Sequence, residues 1–361
     1  MPPSLARRVR QHRCRSLKSK YMSNERQILN LYPIDYPFET LVSRAEANPR
    51  KLILNPEFQR KYKWDKDGNV RASRFIESCL MRIPIPACYF AENEDNYHNV
   101  IDGVQRITTI KNFFNDDFAL EGLTIYEELN GKKFSELGDL KGALETTTMR
   151  CVVLRKENPK ELVHEIFARL NQGAVKLSDQ EIRHAIYPGT LDSLLGELGE
   201  TEFIAEFQNS KKKDDRSNEE LVLRFFALDN DLTDYNNKLS EFLDSYMSGN
   251  QNLEIEAAQE LKEKFENTLN KCIRTFERPF VDTTLEKPRQ SVAYYDLIMN
   301  SFMDLSDAFI DENRDELNQK FQELCGLQDF KKTLAGGLQQ KSSILARRIL
   351  WQGKIAEIDE D

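Results

Sequence analysis

The stretch Tyr97-His98-Asn99-Val100-Ile101-Asp102-Gly103-Val104-Gln105-Arg106 changes its period at one dipeptide. Tyr97 to Ile101 reads as an extended run, and Asp102-Gly103 breaks it before a helical pattern that continues to about Asn115. Glycine tolerates positive φ and lets a ligand approach the backbone closely. A helix beginning here presents unpaired N–H groups and the positive end of its dipole, and both favour phosphate. Arg106 falls in the first turn, where a guanidinium can grip a phosphate with two hydrogen bonds. Asp102 suits two roles, a helix cap or the holder of a metal bound to that phosphate. A strand, a glycine turn and a helix in this order predict a mixed α/β domain around the turn.

Working outward, a helix is predicted over about 70–82, because Phe75, Ile76, Cys79, Leu80 and Ile83 share one face. Pro84 and Pro86 stop it and impose an extended segment. Lys51–Asn55, Ile85–Glu92, Asn99–Asp102 and Met149–Arg155 are the predicted strands. From about residue 158 the pattern is helical to the end. Leu162, Val163, Ile166, Phe167 and Leu170 form a stripe ending near Gly173. Ser178-Asp179-Gln180-Glu181 reads as a capping box, and Ser217-Asn218-Glu219-Glu220 repeats that device. Ala258, Leu261, Phe265, Leu269, Cys272 and Phe276 keep the helical period. The expected fold class is α+β, with a mixed α/β domain over 33–157 and an all-helical domain over 158–361. Residues 1–32 are expected to be a disordered basic leader.

The composition bounds the function classes. A chain of 361 residues, 40% hydrophobic and 31% charged, fits about two soluble globular domains. No apolar run approaches the ~20 residues of a membrane-spanning helix. The six cysteines are scattered without a C-x-x-C pair, which argues against a structural zinc site or a disulfide framework and for a cytoplasmic protein. The net charge is −9, yet the first 20 residues carry seven Arg or Lys and no acid, leaving −16 on the rest. An acidic body gives no general footprint for duplex DNA, so any DNA contact is local. The leader reads as a solvated tail, or as an extension before a natural start at Met22, with a nucleic-acid-binding arm as the alternative. Gly-x-Ser-x-Gly, His-Glu-x-x-His and Walker-type segments do not occur.

Phe58-Gln59-Arg60-Lys61-Tyr62-Lys63-Trp64 combines an amide, three cations and aromatic rings that could stack a base and clamp phosphates. For Phe58 and Trp64, anchoring in the core is the favoured reading. Here a resemblance becomes specific. The chain resembles the family typified by the N-terminal domain of GmrSD-type restriction systems, a ParB/sulfiredoxin-like domain. The family's Phe-Gln-Arg-x-Tyr-x-Trp segment is matched at Phe58 to Trp64, and its Pro-x-Pro strand by Pro84-Ile85-Pro86. Its Asp-Gly-Gln-Gln-Arg signature is matched by Asp102-Gly103-Val104-Gln105-Arg106, followed by Thr108-Thr109. Phe167-Ala168-Arg169-Leu170-Asn171-Gln172-Gly173 and Leu177 to Glu181 match a later block, and Glu220 to Phe226 resembles a further helix. The likeness spans about residues 37–250. Two departures stand out: Val104 replaces a Gln of the signature, and Ala174 follows Gly173 where a second Gly is usual.

The resemblance implies nucleotide binding, and in some relatives NTP hydrolysis, used in restriction of foreign DNA. Gly103, Gln105 and Arg106 would hold the phosphates, with Gln59 and Arg60 facing them. Asp102, Asn171 and Glu181 are the candidate catalytic residues, organising a divalent ion or the attacking water. For Glu181 the capping box accounts for the residue equally well. The expected cofactor is an NTP, with Mg²⁺ arriving on it, and no protein metal-ligand set is assigned. Arg106→Ala is expected to abolish nucleotide binding and leave the fold intact. The four histidines are His12, His98, His164 and His184, and none follows 184. His-Asn-His nuclease chemistry needs a histidine base, so that activity is not expected of this chain. The expected function is a nucleotide-binding sensor or regulator in a restriction or anti-phage system. The alternatives are a non-catalytic DNA-binding module and a scaffold that recruits a partner nuclease.

Overall fold

The computed structural model describes residues 29–54, 64, 68–170, 177–207, 215–229 and 232–359. Five strands form one mixed sheet: β1 (Leu31–Pro37), β2 (Leu52–Ile53), β3 (Cys88–Glu92), β4 (His98–Asp102) and β5 (Thr148–Leu154). Their order across the sheet is β1-β5-β3-β4-β2. β1 runs antiparallel to β5, β5 parallel to β3, β3 antiparallel to β4, and β4 parallel to β2. The helices between them are α1 (Phe38–Glu46), α2 (Val70–Leu80), α3 (Val104–Phe114) and α4 (Leu140–Glu145).

Two-residue alternation sends the strands' apolar side chains to both faces of the sheet. Leu52, Cys88, Phe90, Val100, Met149, Cys151 and Val153 join one core with Phe38 and Leu41 of α1, Ile76 of α2 and Ile107, Ile110 and Phe113 of α3. Ile101 and Leu154 join a second, smaller core on the other face, with Tyr89 and Ala91 against it. That core is completed by Val163 and Phe167 of α5 (Lys160–Leu170), by Leu177, and by Ile182 of α6 (Asp179–Ile186). The α+β class is therefore as expected, but α5 and α6 cover the sheet, across the expected boundary at 157/158.

The predicted strands and helices form, with shifted ends. Residues 85–87 have no regular secondary structure, so β3 starts at Cys88, and β2 shrinks to two residues. β1 has no counterpart among the predicted strands, and it contains Pro33 and Pro37. It lies at the sheet edge, paired only with β5 (Pro33 opposite Val152), where a missing N–H is tolerated. Residues 31 and 32 thus belong to the sheet and not to the leader. Asn158 ties this end down: its amide group donates to the Asn30 carbonyl at 2.7 Å and its side-chain oxygen accepts from the Asn30 N–H at 2.9 Å.

Glu77 of α2 shows how the loop after α3 is held. It is buried, and its Oε1 accepts the backbone N–H groups of Thr124, Ile125 and Tyr126 at 3.1, 2.8 and 3.0 Å. Burial pushes its carboxyl pKa up, but the three N–H donors outweigh burial and hold it below the ordinary 4.5. A depressed folded pKa stabilises above the unfolded value, and the gain is lost as pH falls through the folded one. Glu77→Gln is expected to lose about 1–3 kcal/mol at neutral pH, because charge-assisted bonds become neutral ones. In urea titrations at stepped pH, the difference between the two proteins should close below pH 4.5.

The helical remainder runs through α7 (Thr190–Gly199), α8 (Glu202–Glu206), α9 (Ser217–Ala227), α10 (Leu239–Asn250), α11 (Ile255–Thr275), α12 (Val292–Phe302), α13 (Asp307–Glu312), α14 (Arg314–Gly326), α15 (Gln328–Leu334) and α16 (Lys341–Asp359). One large core joins these helices, including Phe225, Phe265, Tyr295, Phe321 and Trp351. The capping box at Ser178 forms as expected, with both reciprocal bonds. The one expected at Ser217 does not. Ser217 is already helical, the cap is Arg216 at φ 55°, and the Ser217 N–H donates to Asp215 Oδ1 at 3.2 Å.

Candidate functional site

The turn at 102–106 is built by an irregularity in the sheet. Phe90 pairs with Val100, but its neighbour Tyr89 pairs with Asp102, so Ile101 is an extra residue on β4. A regular ladder would have set Asp102 opposite Cys88, whose side chain lies in the main core. The bulge sets it opposite Tyr89 instead and leaves its side chain 45% exposed. Gly103 follows at φ 102° and caps α3. It is buried, and a Cβ there would lie 2.3 Å from Cys88 Sγ. The glycine thus permits both the left-handed turn and the sulfur beneath it.

Gly103 has no side chain with which to cap α3. Asp102 does not take the cap role. Its Oδ2 accepts from Arg106 Nη2 at 2.6 Å. The same guanidinium donates to the carbonyls of Pro86 and, at 3.4 Å, of Ala87, and it is only 13% exposed. Arg106 therefore staples the extended Pro84-Ile85-Pro86 segment to the turn. Its removal costs these bonds as well as any phosphate contact, so the expectation of a fold indifferent to Arg106→Ala is revised. Gln105 is partly buried, and its carbonyl accepts the Thr109 hydroxyl at 2.8 Å.

Glu181 is buried at the start of α6. Its Oε2 accepts the Ser178 N–H at 2.7 Å, and its own N–H donates to Ser178 Oγ at 3.1 Å. That reciprocal box gives the carboxylate a structural role. Ile101 and Ile182, the neighbours of Asp102 and Glu181, share one apolar core, so the turn and the start of α6 meet on one side of the sheet. Gln59, Arg60, Phe58 and Asn171 lie outside the described residues. Trp64 anchors as expected, edge-on to Phe75 at 5.4 Å with the Arg71 guanidinium 5.2 Å from its ring centre.

Two polar clusters had no signal in the sequence. Arg183 of α6 is fully buried and donates to Asp244 Oδ1 at 2.7 Å, Ser240 Oγ at 2.8 Å and Glu220 Oε2 at 3.1 Å. Asp244 also faces His164 Nδ1 at 3.5 Å. Burial pushes the Asp244 carboxyl up, and Arg183 and His164 pull against it. The second cluster is His184, Asp192 and Glu219 with Arg216. Elsewhere, a groove of about 960 Å³ between Arg278, Leu285, Arg289 and Leu338 contains none of the expected site residues.

Residues 38–188 match the family model described as GmrSD restriction endonuclease, N-terminal domain. No curated protein and no solved structure matches the chain. The matched span holds the turn, Arg106, Glu181 and both cores of the sheet, and it stops short of the Glu220 to Phe226 helix included in the resemblance. Over residues 38–188 the chain is therefore similar to the N-terminal domain of the GmrSD restriction endonuclease family.

Proposed function

We propose that this protein is a component of a restriction or defence system and that its sheet domain binds a nucleoside triphosphate at the turn after β4. The observation that carries the reading is the start of α3: a buried left-handed glycine, no side-chain cap, and the Asp102–Arg106 pair at its edge. An uncapped helix start favours an anion through its N–H groups and dipole. Asp102, half exposed, would meet a divalent ion carried by the phosphates. Arg106 would exchange its bond to Asp102 for a phosphate oxygen and keep its bonds to Pro86 and Ala87. This mechanism makes binding the primary activity. Hydrolysis would further need a group to orient water, a part assigned to Asn171 or Glu181. The family match supports the defence context, and the ParB/sulfiredoxin-like character of the domain belongs to the same proposal.

Isothermal titration with ATP, GTP, CTP and UTP, each with and without Mg²⁺, tests the reading. At least one nucleotide should bind, more tightly with Mg²⁺. Arg106→Lys, which keeps the charge but loses the planar fork, should weaken binding about tenfold, the equivalent of one charged hydrogen bond. A folded protein that binds none of the four overturns the proposal.

A further inference from the structure

His184 of α6, Asp192 of α7 and Glu219 of α9 bring three potential metal-ligand atoms within 4.8 Å of one another. The hydrogen-bond geometry around the imidazole fits one tautomer. Arg216 Nη2 lies 3.1 Å from His184 Nε2, and a guanidinium only donates, so Nε2 is the acceptor. The ring proton is then on Nδ1, directed at Asp192 Oδ2 at 2.8 Å. The Arg216 guanidinium also donates through Nη1 to both oxygens of Glu219, at 2.6 and 2.5 Å. One guanidinium therefore occupies the space that faces both the free imidazole nitrogen and a carboxylate.

The charges do not balance. Among the described residues of the cluster, two carboxylates with side chains only 7% and 12% exposed face one guanidinium and a neutral ring, an excess of one negative charge. Buried net charge is costly, and a divalent cation in place of the guanidinium would cancel it. The donor chemistry suits such an ion. A neutral imidazole whose second nitrogen is held by a carboxylate is the arrangement that orients and strengthens a histidine ligand. Imidazole with carboxylate favours transition ions, whereas Mg²⁺ prefers oxygen donors alone. The His184 side chain is 26% exposed, which leaves an approach from solvent.

We propose that His184 and Glu219, with Asp192 orienting the imidazole, form a site for a divalent transition-metal ion, and that Arg216 is the internal cation with which the ion competes. The ion binds His184 Nε2 and a Glu219 oxygen, and water completes its coordination. Arg216 holds the helix-capping left-handed conformation at φ 55° and swings outward when the metal enters. The site joins the family-matched domain to the helical remainder, since His184 lies within residues 38–188 and Asp192 and Glu219 lie beyond. It is independent of the nucleotide reading.

The test uses the full chain and metal ions alone, with no nucleotide. Zn²⁺ binding is measured by isothermal titration and by the shift in melting temperature, with Mg²⁺ as the control. If Arg216 competes and the Arg-bound state is at least nine-tenths populated, Arg216→Gln should tighten Zn²⁺ binding about tenfold or more. Zn²⁺ should also restore the melting temperature lost through that substitution. His184→Gln in the Arg216→Gln background should cost about 10–100-fold in Zn²⁺ affinity, and Asp192→Asn should weaken binding in the same sense. Should Arg216→Gln fail to fold, the wild-type protein compared with His184→Gln gives the same decision at higher Zn²⁺. An Arg216→Gln protein that binds Zn²⁺ no better than wild type, or Zn²⁺ binding insensitive to His184, overturns the proposal and leaves a plain salt-bridge cluster.

Discussion

Gly103→Ala is expected to destabilise the sheet domain by about 2–5 kcal/mol, from two additive sources. A side chain in the left-handed region costs about 1–2 kcal/mol. Overpacking a filled core adds about 1–3 kcal/mol. The second cost arises because the new Cβ would meet Cys88 Sγ at 2.3 Å and Cys88 Cβ at 3.0 Å. Cys88 cannot easily give way, since it is fully buried at the start of β3, paired with Cys151 of β5 and packed in the main core. Urea denaturation followed by far-ultraviolet circular dichroism measures the total. A double-mutant cycle with Cys88→Ala separates the parts, because the smaller side chain removes the collision and leaves the backbone cost. A cycle that shows no coupling between positions 88 and 103 would mean that the sulfur is not what the added methyl meets.

The second large effect lies at Arg183. Arg183→Met keeps the volume but removes the guanidinium that pairs with Asp244, Glu220 and Ser240. Asp244 is left buried, with His164 Nδ1 at 3.5 Å as its remaining charged-group contact among the described residues. Breaking one side of a buried ion pair costs about 3–5 kcal/mol. The pH dependence has a definite sign. Burial already holds the Asp244 carboxyl above its ordinary pKa, and losing Arg183 raises it further. A raised folded pKa means that the native state binds the proton more readily than the unfolded chain does. The variant should therefore be least stable above the pKa of its folded Asp244 and recover as pH falls through it. Asp244→Asn in the same background should recover most of the loss at neutral pH, because the buried charge is gone. A variant equally unstable at all pH values would place the cost in packing.

How far the site could be read in advance depended on how local each feature is. Asp102, Gly103 and Arg106 were found because a strand-to-helix turn is written in consecutive residues, and the structure forms β4, the glycine cap and α3 there. The box at Ser178 is equally local, and both of its bonds form. The box expected at Ser217 fails because Arg216, drawn toward His184 and Glu219, takes the cap position with a left-handed backbone. β1 has no comparable local signature: its prolines are acceptable at a sheet edge, and edge position follows from pairing with β5, over a hundred residues away.

The sequence by itself determined the α+β class, the order of sheet region and helical region, and the glycine turn, since all three follow from local period and local φ preference. Residues 102–106 also supplied one of the blocks of the family resemblance, which the family model matches over residues 38–188. The tertiary structure alone decided what that turn does. The bulge at Ile101 sets Asp102 opposite Tyr89, and the Pro86 and Ala87 carbonyls claim most of Arg106. It alone assembled Arg183 with Asp244, and His184 with Asp192 and Glu219. The physical reason is the same throughout: strand register and helix packing join residues far apart in the chain, and charge burial is a property of that packing.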